Sequence, residues 1–399
     1  MRCRYVLLAG AACAVLTMFI VAAPSAQGGA LSPKEQLGKL IFNDEALSQN
    51  ANQSCATCHH PAAGWTGPDS IINAHGAVYE GSVPGAFGDR KPPSAAYATQ
   101  SPILHMDKRG LFVGGNFWDG RATGERLGNP AAEQAQGPFL NPMEQALGSP
   151  ADVVALVCGG SYAGLFREVW GPEACDVVND AYVYIGYSVA AYEASAEVNA
   201  FTSKFDYSRK GMARLTPLEL RGHAMFVGKG KCAKCHIANG QGPLFTDYTF
   251  DNLGLPKNPE NPFYIAHPDY VDQGLGGFLG SRADYAPYAA ANMGKHKVPT
   301  VRNVGTGLPG TTKAYGHNGY FKSLEGIVNF YNTRDVKPTC PGPYTEAEAM
   351  AAGCWPAPEV AENVNTTELG NLRLTPDDEA AIVAFMKTLS DGHVPGRGK

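Results

Sequence analysis

Apolar residues recur at helical spacing in a few separated stretches of this chain, and between them the pattern dissolves into long runs with no clear period. Three stretches open with the same chemistry: Ser32-Pro33-Lys34-Glu35, Thr216-Pro217-Leu218-Glu219 and Thr375-Pro376-Asp377-Asp378. Each offers a hydroxyl to cap the free amides of a first turn, a proline where no amide is needed, and an acid at the third helical position. The last predicts a closing helix with Ile382, Phe385, Met386 and Leu389 on one face. A longer helical pattern runs from about Asp180 to Phe201, with a domain boundary expected between Ser203 and Thr216. Leu324, Ile327, Val328 and Tyr331 follow i, i+3, i+4, i+7 and predict a short helix, begun near Ser323, that turns the Tyr331 ring inward.

Strand signals are sparse, so the expected class is all-α. The 47 glycines and 29 prolines put much of the chain in irregular loops, above all 64–93 and 240–299. Loops of that length in a compact protein usually cover a cofactor or carry function. Residues 1–26 differ: Arg2 and Arg4 precede an apolar run from Tyr5 to Ala23 and then Pro24-Ser25-Ala26. This is the order of a secretory signal peptide, with an uncleaved anchor as the competing reading. The formal charge of −5 becomes more negative by two when both arginines leave with the leader. That argues against a nucleic-acid partner and allows a basic electron donor.

Cysteine spacing supplies the chemistry. Cys55-Ala-Thr-Cys58-His59 and Cys232-Ala-Lys-Cys235-His236 carry the covalent attachment signature of c-type haem. Each thiol adds to one porphyrin vinyl group and the adjacent imidazole becomes the proximal iron ligand. A zinc ribbon would place its second cysteine pair closer and would not require the trailing histidine. Each motif follows one of the opening helices, so two domains with one covalently bound haem apiece are expected, and export suits the attachment. The four remaining cysteines outside the leader pair locally, Cys340 with Cys354 and Cys158 with Cys175. A loop of about 15 residues closed in this way gains roughly 3 kcal/mol in the chain-entropy model.

Between and after these motifs stand Phe117-Trp118-Asp119-Gly120-Arg121-Ala122, Lys297-Val298-Pro299-Thr300-Val301-Arg302-Asn303 and Tyr315-Gly316-His317-Asn318-Gly319. With the two haem motifs, they resemble the bacterial dihaem cytochrome c peroxidase and MauG family over nearly all of the mature chain. The resemblance implies a signal peptide at 1–26 and two cytochrome c-like domains. The first, 27–205, would hold the peroxidatic haem. The second, 206–399, would hold the electron-transfer haem and a Cys/Pro-rich insertion at 337–371.

By the same resemblance, Trp118 couples the two haems, against the alternative of a buried aromatic anchor. Glu144 in Asn141-Pro142-Met143-Glu144 takes the distal carboxylate position, because cleaving an O–O bond requires a proton to leave one oxygen and reach the other. A solvated glutamate at a helix terminus is the competing reading. His75, sixteen residues after His59, matches a histidine that caps the resting N-terminal haem and swings away, against a polar loop histidine. Tyr331, fourteen residues after His317, matches the distal ligand of the C-terminal haem, a methionine in typical peroxidases and a tyrosine in MauG; Met293 is the alternative. Calcium between the haems is held in the family by an Asn, a Thr hydroxyl and backbone carbonyls. Thr312 and Ala314 match two of these positions, but the Asn position reads Lys91, whose ammonium has no lone pair to give and supplies positive charge itself.

The implied function is an exported periplasmic haem peroxidase that reduces hydrogen peroxide with electrons from a small c-type cytochrome or cupredoxin, with a homodimer left open. Two readings compete. In a MauG-like enzyme the oxidising equivalents modify a protein partner; the tryptophan that serves MauG as exit is Gly230 here, leaving Trp170 and Trp355 as other exits. In a non-enzymatic dihaem electron carrier both irons would be six-coordinate, with no access for peroxide.

Overall fold

The three cap sequences act where the chain places them, in a computed structural model that describes residues 29–396. The expected leader at 1–26 lies outside the described residues. Ser32 accepts from the Glu35 amide while the Glu35 carboxylate accepts from the Ser32 N–H, and this box starts α1 (Pro33–Phe42). Two short turns follow, α2 (Cys55–Cys58) and α3 (Ser70–Ala74), and then an antiparallel pair, β1 (His105–Met106) with β2 (Phe112–Val113). Next come α4 (Pro130–Leu140), α5 (Pro150–Gly159), α6 (Ala163–Trp170), α7 (Val178–Ala194) and α8 (Lys204–Arg209). The Thr216–Glu219 box opens α9 (Pro217–Val227), followed by β3 (Phe250–Asp251), α10 (Pro262–Ala266), α11 (Gly274–Gly280) and β4 (His296–Lys297). The chain closes with α12 (Leu324–Thr333), α13 (Glu346–Ala352) and α14 (Pro376–Lys387), the last behind the Thr375–Asp378 box.

The fold is therefore helix-rich rather than purely helical. In the first ribbon His105 stands opposite Val113 and Met106 opposite Phe112; in the second Phe250 faces Lys297 and Asp251 faces His296. Ladders of two residues are too short to leave an alternating pattern. Helix α7 stops at Ala194, short of the expected Phe201. Ser195 turns to extended backbone, and the Asn199 side-chain amide donates to the Glu193 carbonyl at 2.9 Å, meeting an acceptor that another helical turn would have met.

Most buried side chains fall in two clusters, one spanning Leu37 to Val198 and one spanning Phe205 to Leu389. Each is built on a helix crossing tight enough to require glycine. A Cβ on Gly38 of α1 would lie 1.9 Å from the Ser188 carbonyl oxygen on α7, and a Cβ on Gly222 of α9 would lie 1.9 Å from that of Ala381 on α14. Cap, proline, acid and glycine stand in the same register in α1 and α9, so one crossing is built twice. Both expected disulfides are present. Cys158–Cys175 ties α5 to the turn before α7, and Cys340–Cys354 closes the loop that holds α13.

Candidate active site

Each helix crossing stands beside a cavity edged by one Cys-x-x-Cys-His run. On the first, the turn α2 puts Cys55 and Cys58 on one side, since residues three apart on a helix are neighbours. His59 donates from Nδ1 to the Trp65 carbonyl at 3.3 Å, which leaves Nε2 as its free ligand atom. Burial is the main reason its imidazole is held neutral, down to about 4. Burial also pushes both thiols up, Cys58 to about 12, with Glu144 adding to the effect. Neither sulfur is in a disulfide. These are protonated thiols, unlike the activated thiolates of a redox dithiol.

The same cavity receives Glu144 from the turn after α4. Asn141 Nδ2 donates to its Oε2 at 2.9 Å, yet burial outweighs that bond and lifts the carboxyl above the ordinary range. Beside it Gln145 is buried with both amide atoms unpartnered. A second carboxyl, Glu193 at the end of α7, is 6 % exposed and is pushed by burial to about 8. Sequence reasoning missed Glu193, because one acid at the end of an apolar helix reads as a solvated position.

The second cavity is edged by the tight turn Cys232–Lys234 and by Cys235 and His236. His236 donates from Nδ1 to the Phe245 carbonyl at 2.9 Å, and burial lowers its pKa. Tyr331 reaches this cavity from α12, its phenol pushed far up, first by burial and then by Cys232 and Cys235. Met293 does not line it and packs against Gly276 instead. The methionine that does line it is Met386 on α14, whose Ile382 packs against Gly230 and so lies on the side of the haem motif. Segment 337–371, which carried no role in the sequence, supplies Glu359, Val360, Glu368 and Leu369 to the wall.

Trp118 stands in a wall common to both cavities, together with Lys91, Lys297, Val298, Pro299 and Thr300. It is buried, and its indole N–H donates to the Lys91 carbonyl at 2.9 Å. Other expected residues lie elsewhere. The His75 side chain is 64 % exposed, follows the end of α3 and pairs with Glu260 at 2.9 Å, so it reaches neither cavity. The Thr312 carbonyl accepts from Asn73 Nδ2 at 3.0 Å, while Ala314 lines the second cavity. Trp170 stacks on Tyr184 with ring centres 4.5 Å apart. Trp355 is buried against Phe330 and donates to Thr333 Oγ1, and neither tryptophan lines a cavity.

The donor set fits a c-type haem in each cavity: two thiols for the vinyl groups, an imidazole with Nε2 free, and apolar walls. It also fits the porphyrin's carboxylates. Lys91, Lys297 and Lys313 are half-buried or buried at the inner walls, and among the described residues their amines bond only to neutral oxygens. Burial lowers all three to about 7. His317 Nε2 is buried without a hydrogen-bond partner, 4.0 Å from Asp272 and 3.8 Å from Glu359. Buried cations without acids are unfavourable, and an acidic ligand satisfies them.

Comparison with known proteins points the same way. The family model for di-haem cytochrome c peroxidase matches residues 32–214. The methylamine utilization protein MauG of Paracoccus denitrificans is 36% identical over 362 residues, covering 89% of this chain and 88% of that protein. The cytochrome-c peroxidase IdrP2 of Denitromonas iodatirespirans is 29% identical over 78% of this chain and 76% of its own length. Among solved structures, the diheme peroxidase BthA of Burkholderia thailandensis superposes with a TM-score of 0.74 at 28% identity, covering 91% of this chain and 87% of that one. Among the described residues no helix is long and apolar enough to cross a membrane.

Proposed function

The chain belongs to the di-haem cytochrome c peroxidase and MauG family, and on that premise we propose that it is an exported periplasmic peroxidase that reduces hydrogen peroxide with electrons from a small c-type cytochrome or cupredoxin. Two haem groups follow from the family. Their covalent attachment to Cys55 and Cys58 and to Cys232 and Cys235, with His59 and His236 as proximal ligands, is supported by the free buried thiols and the free Nε2 atoms. Two buried clusters support domains at 27–205 and 206–399.

Bound haem supplies an iron that takes peroxide and stores or passes electrons. The chain supplies the proton handling. Glu144 carries the reading: a buried carboxyl in the His59 cavity, held by Asn141 through one oxygen and raised by burial above the ordinary range. With haem bound to supply the two electrons, its other oxygen, Oε1, would take the proton from one peroxide oxygen and return it to the other, so that the latter can leave as water. Trp118 gives both cavities one polarisable ring. Visible and EPR spectra of the purified holoprotein, before and after one equivalent of peroxide, test this. Prompt spectral change is expected, and spectra that peroxide leaves unmoved would leave only the electron-carrier reading.

One observation favours a second reading, in which a protein partner is the electron source as in MauG. Tyr331 lines the second cavity and Met293 does not. A thioether ligand raises a haem potential, whereas an anionic phenolate favours the higher oxidation states of iron. With Tyr331 as ligand, the His236 haem would resist reduction and suit a stored oxidant better than a relay from a high-potential donor.

A further inference from the structure

The family resemblance implies a calcium ion between the haems, and the residues at its positions do not fit one. Calcium takes six to eight oxygen ligands. Lys91 stands where the Asn donor would be. The other two positions, Thr312 and Ala314, flank Lys313, whose side chain turns into the same wall. Lys91 Nζ donates to Thr66 Oγ1 at 3.0 Å and to the Pro92 carbonyl at 2.8 Å. Lys313 Nζ donates to the Ala63 carbonyl at 2.5 Å and to the Asn303 carbonyl at 3.1 Å, and lies 3.3 Å from where a Cβ on Gly64 would be. The Thr312 carbonyl is already used by Asn73. One amine thus replaces the Asn donor, a second stands between the other two positions, and one of their carbonyls is already engaged.

We infer that the positive charge between the two cavities is built into the chain as Lys91 and Lys313, in place of a bound calcium ion. This rests on the two-haem reading, because the charge serves the haem carboxylates. Each ammonium has three N–H donors and spends two on the oxygens named, so each keeps one for an anion in the cavity. The two amines are near enough that Lys91 makes charging Lys313 harder. A divalent cation brought to the same wall would meet two like charges and no Asn oxygen.

The test uses the holoprotein. Calcium is measured by atomic emission after dialysis against EGTA and again after dialysis against calcium, with haem counted by mass in the same sample. No stoichiometric calcium, and visible and EPR spectra unchanged by either dialysis, are expected. About one calcium per chain, with haem spectra that change when it is chelated, would overturn the inference while leaving a haem count of two, and with it the reading above, intact. The variants Lys91→Met and Lys313→Met should each lower the midpoint potential of at least one haem, with calcium failing to restore it, whereas Lys91→Arg should keep the wild-type value. Unchanged potentials in both methionine variants would equally overturn it. If those variants do not fold, the wild-type calcium measurement decides alone.

Discussion

The cavity behind Cys55 and the cavity behind Cys232 stand on the same frame: a capped helix with glycine in the same register, a close crossing with a later helix, and an imidazole whose Nδ1 is tied to a carbonyl. Their furnishing differs. The first faces Glu144 and Glu193, carboxyls raised by burial. In the second, burial raises Asp251 as well, Asp272 is held well below the ordinary range by His296 and the Arg90 clamp, and Tyr331 faces the space. The frame comes from local sequence repeated, whereas the chemistry comes from residues delivered by loops and helices far along the chain. Both cavities hold a carboxyl raised by burial, and what sets them apart is Glu144 with Glu193 in the first and Tyr331 in the second.

The broadest test removes one frame at a time. Replacing Cys55 and Cys58 with Ala, or Cys232 and Cys235, should each subtract one haem mass in mass spectrometry; loss of both haems from either variant would show that the frames do not fill independently. Next, Glu144→Gln should slow the reaction with peroxide by about 10²–10⁴, read in stopped flow, with both haem spectra intact. The wild-type rate should also fall as acid protonates Glu144, at a pH above the ordinary carboxyl range. Equal rates for variant and wild type would erase the difference between the cavities.

Tyr331→Met sharpens the contrast from the other side. The wild type should lack the Met–iron charge-transfer band near the red edge of the visible, and the variant should raise the potential of the His236 haem. A band in the wild type would rule out tyrosine ligation and return the His236 haem to the methionine-ligated type. Trp118→Phe should leave initial peroxide binding unchanged and slow electron sharing between the haems; normal sharing would reduce Trp118 to packing. The smallest effect concerns Glu193. Its folded pKa, about 8, lies above its unfolded value, so its contribution to stability is complete below the ordinary carboxyl pKa and is lost as pH rises through about 8. Glu193→Gln should flatten that decline in denaturant melts across this range.

Features set by neighbouring residues were legible in the sequence. Cap boxes, both haem motifs, the helix carrying Tyr331 and both disulfide pairs all depend on short spacings. Features set by long-range packing were not. Glu193, Lys297 and Lys313 are ordinary charged letters until the fold buries them, and the two-residue ribbons leave no periodic trace. His75 had the right spacing and the wrong surroundings: Glu260, distant in sequence, holds its ring outside the cavity. The end of α7 turned on Asn199, a single side chain returning to the helix it follows.

The common wall around Trp118 has a consequence for modularity. Thr246, Tyr248 and residues 297–300 from the second half close the His59 cavity, while Gly64, Thr66, Lys91, Pro93, Ser94 and Trp118 from the first half help to close the His236 cavity. The halves have exchanged walls. A half expressed alone would keep its capped helix, its glycine crossing and its thiols, yet its cavity would be open on the side its neighbour had closed. Substitutions in the wall act on both cavities at once, so their effects will not add across the two halves. The repeat in the sequence marks a unit of construction, and each cavity is walled by residues from both copies.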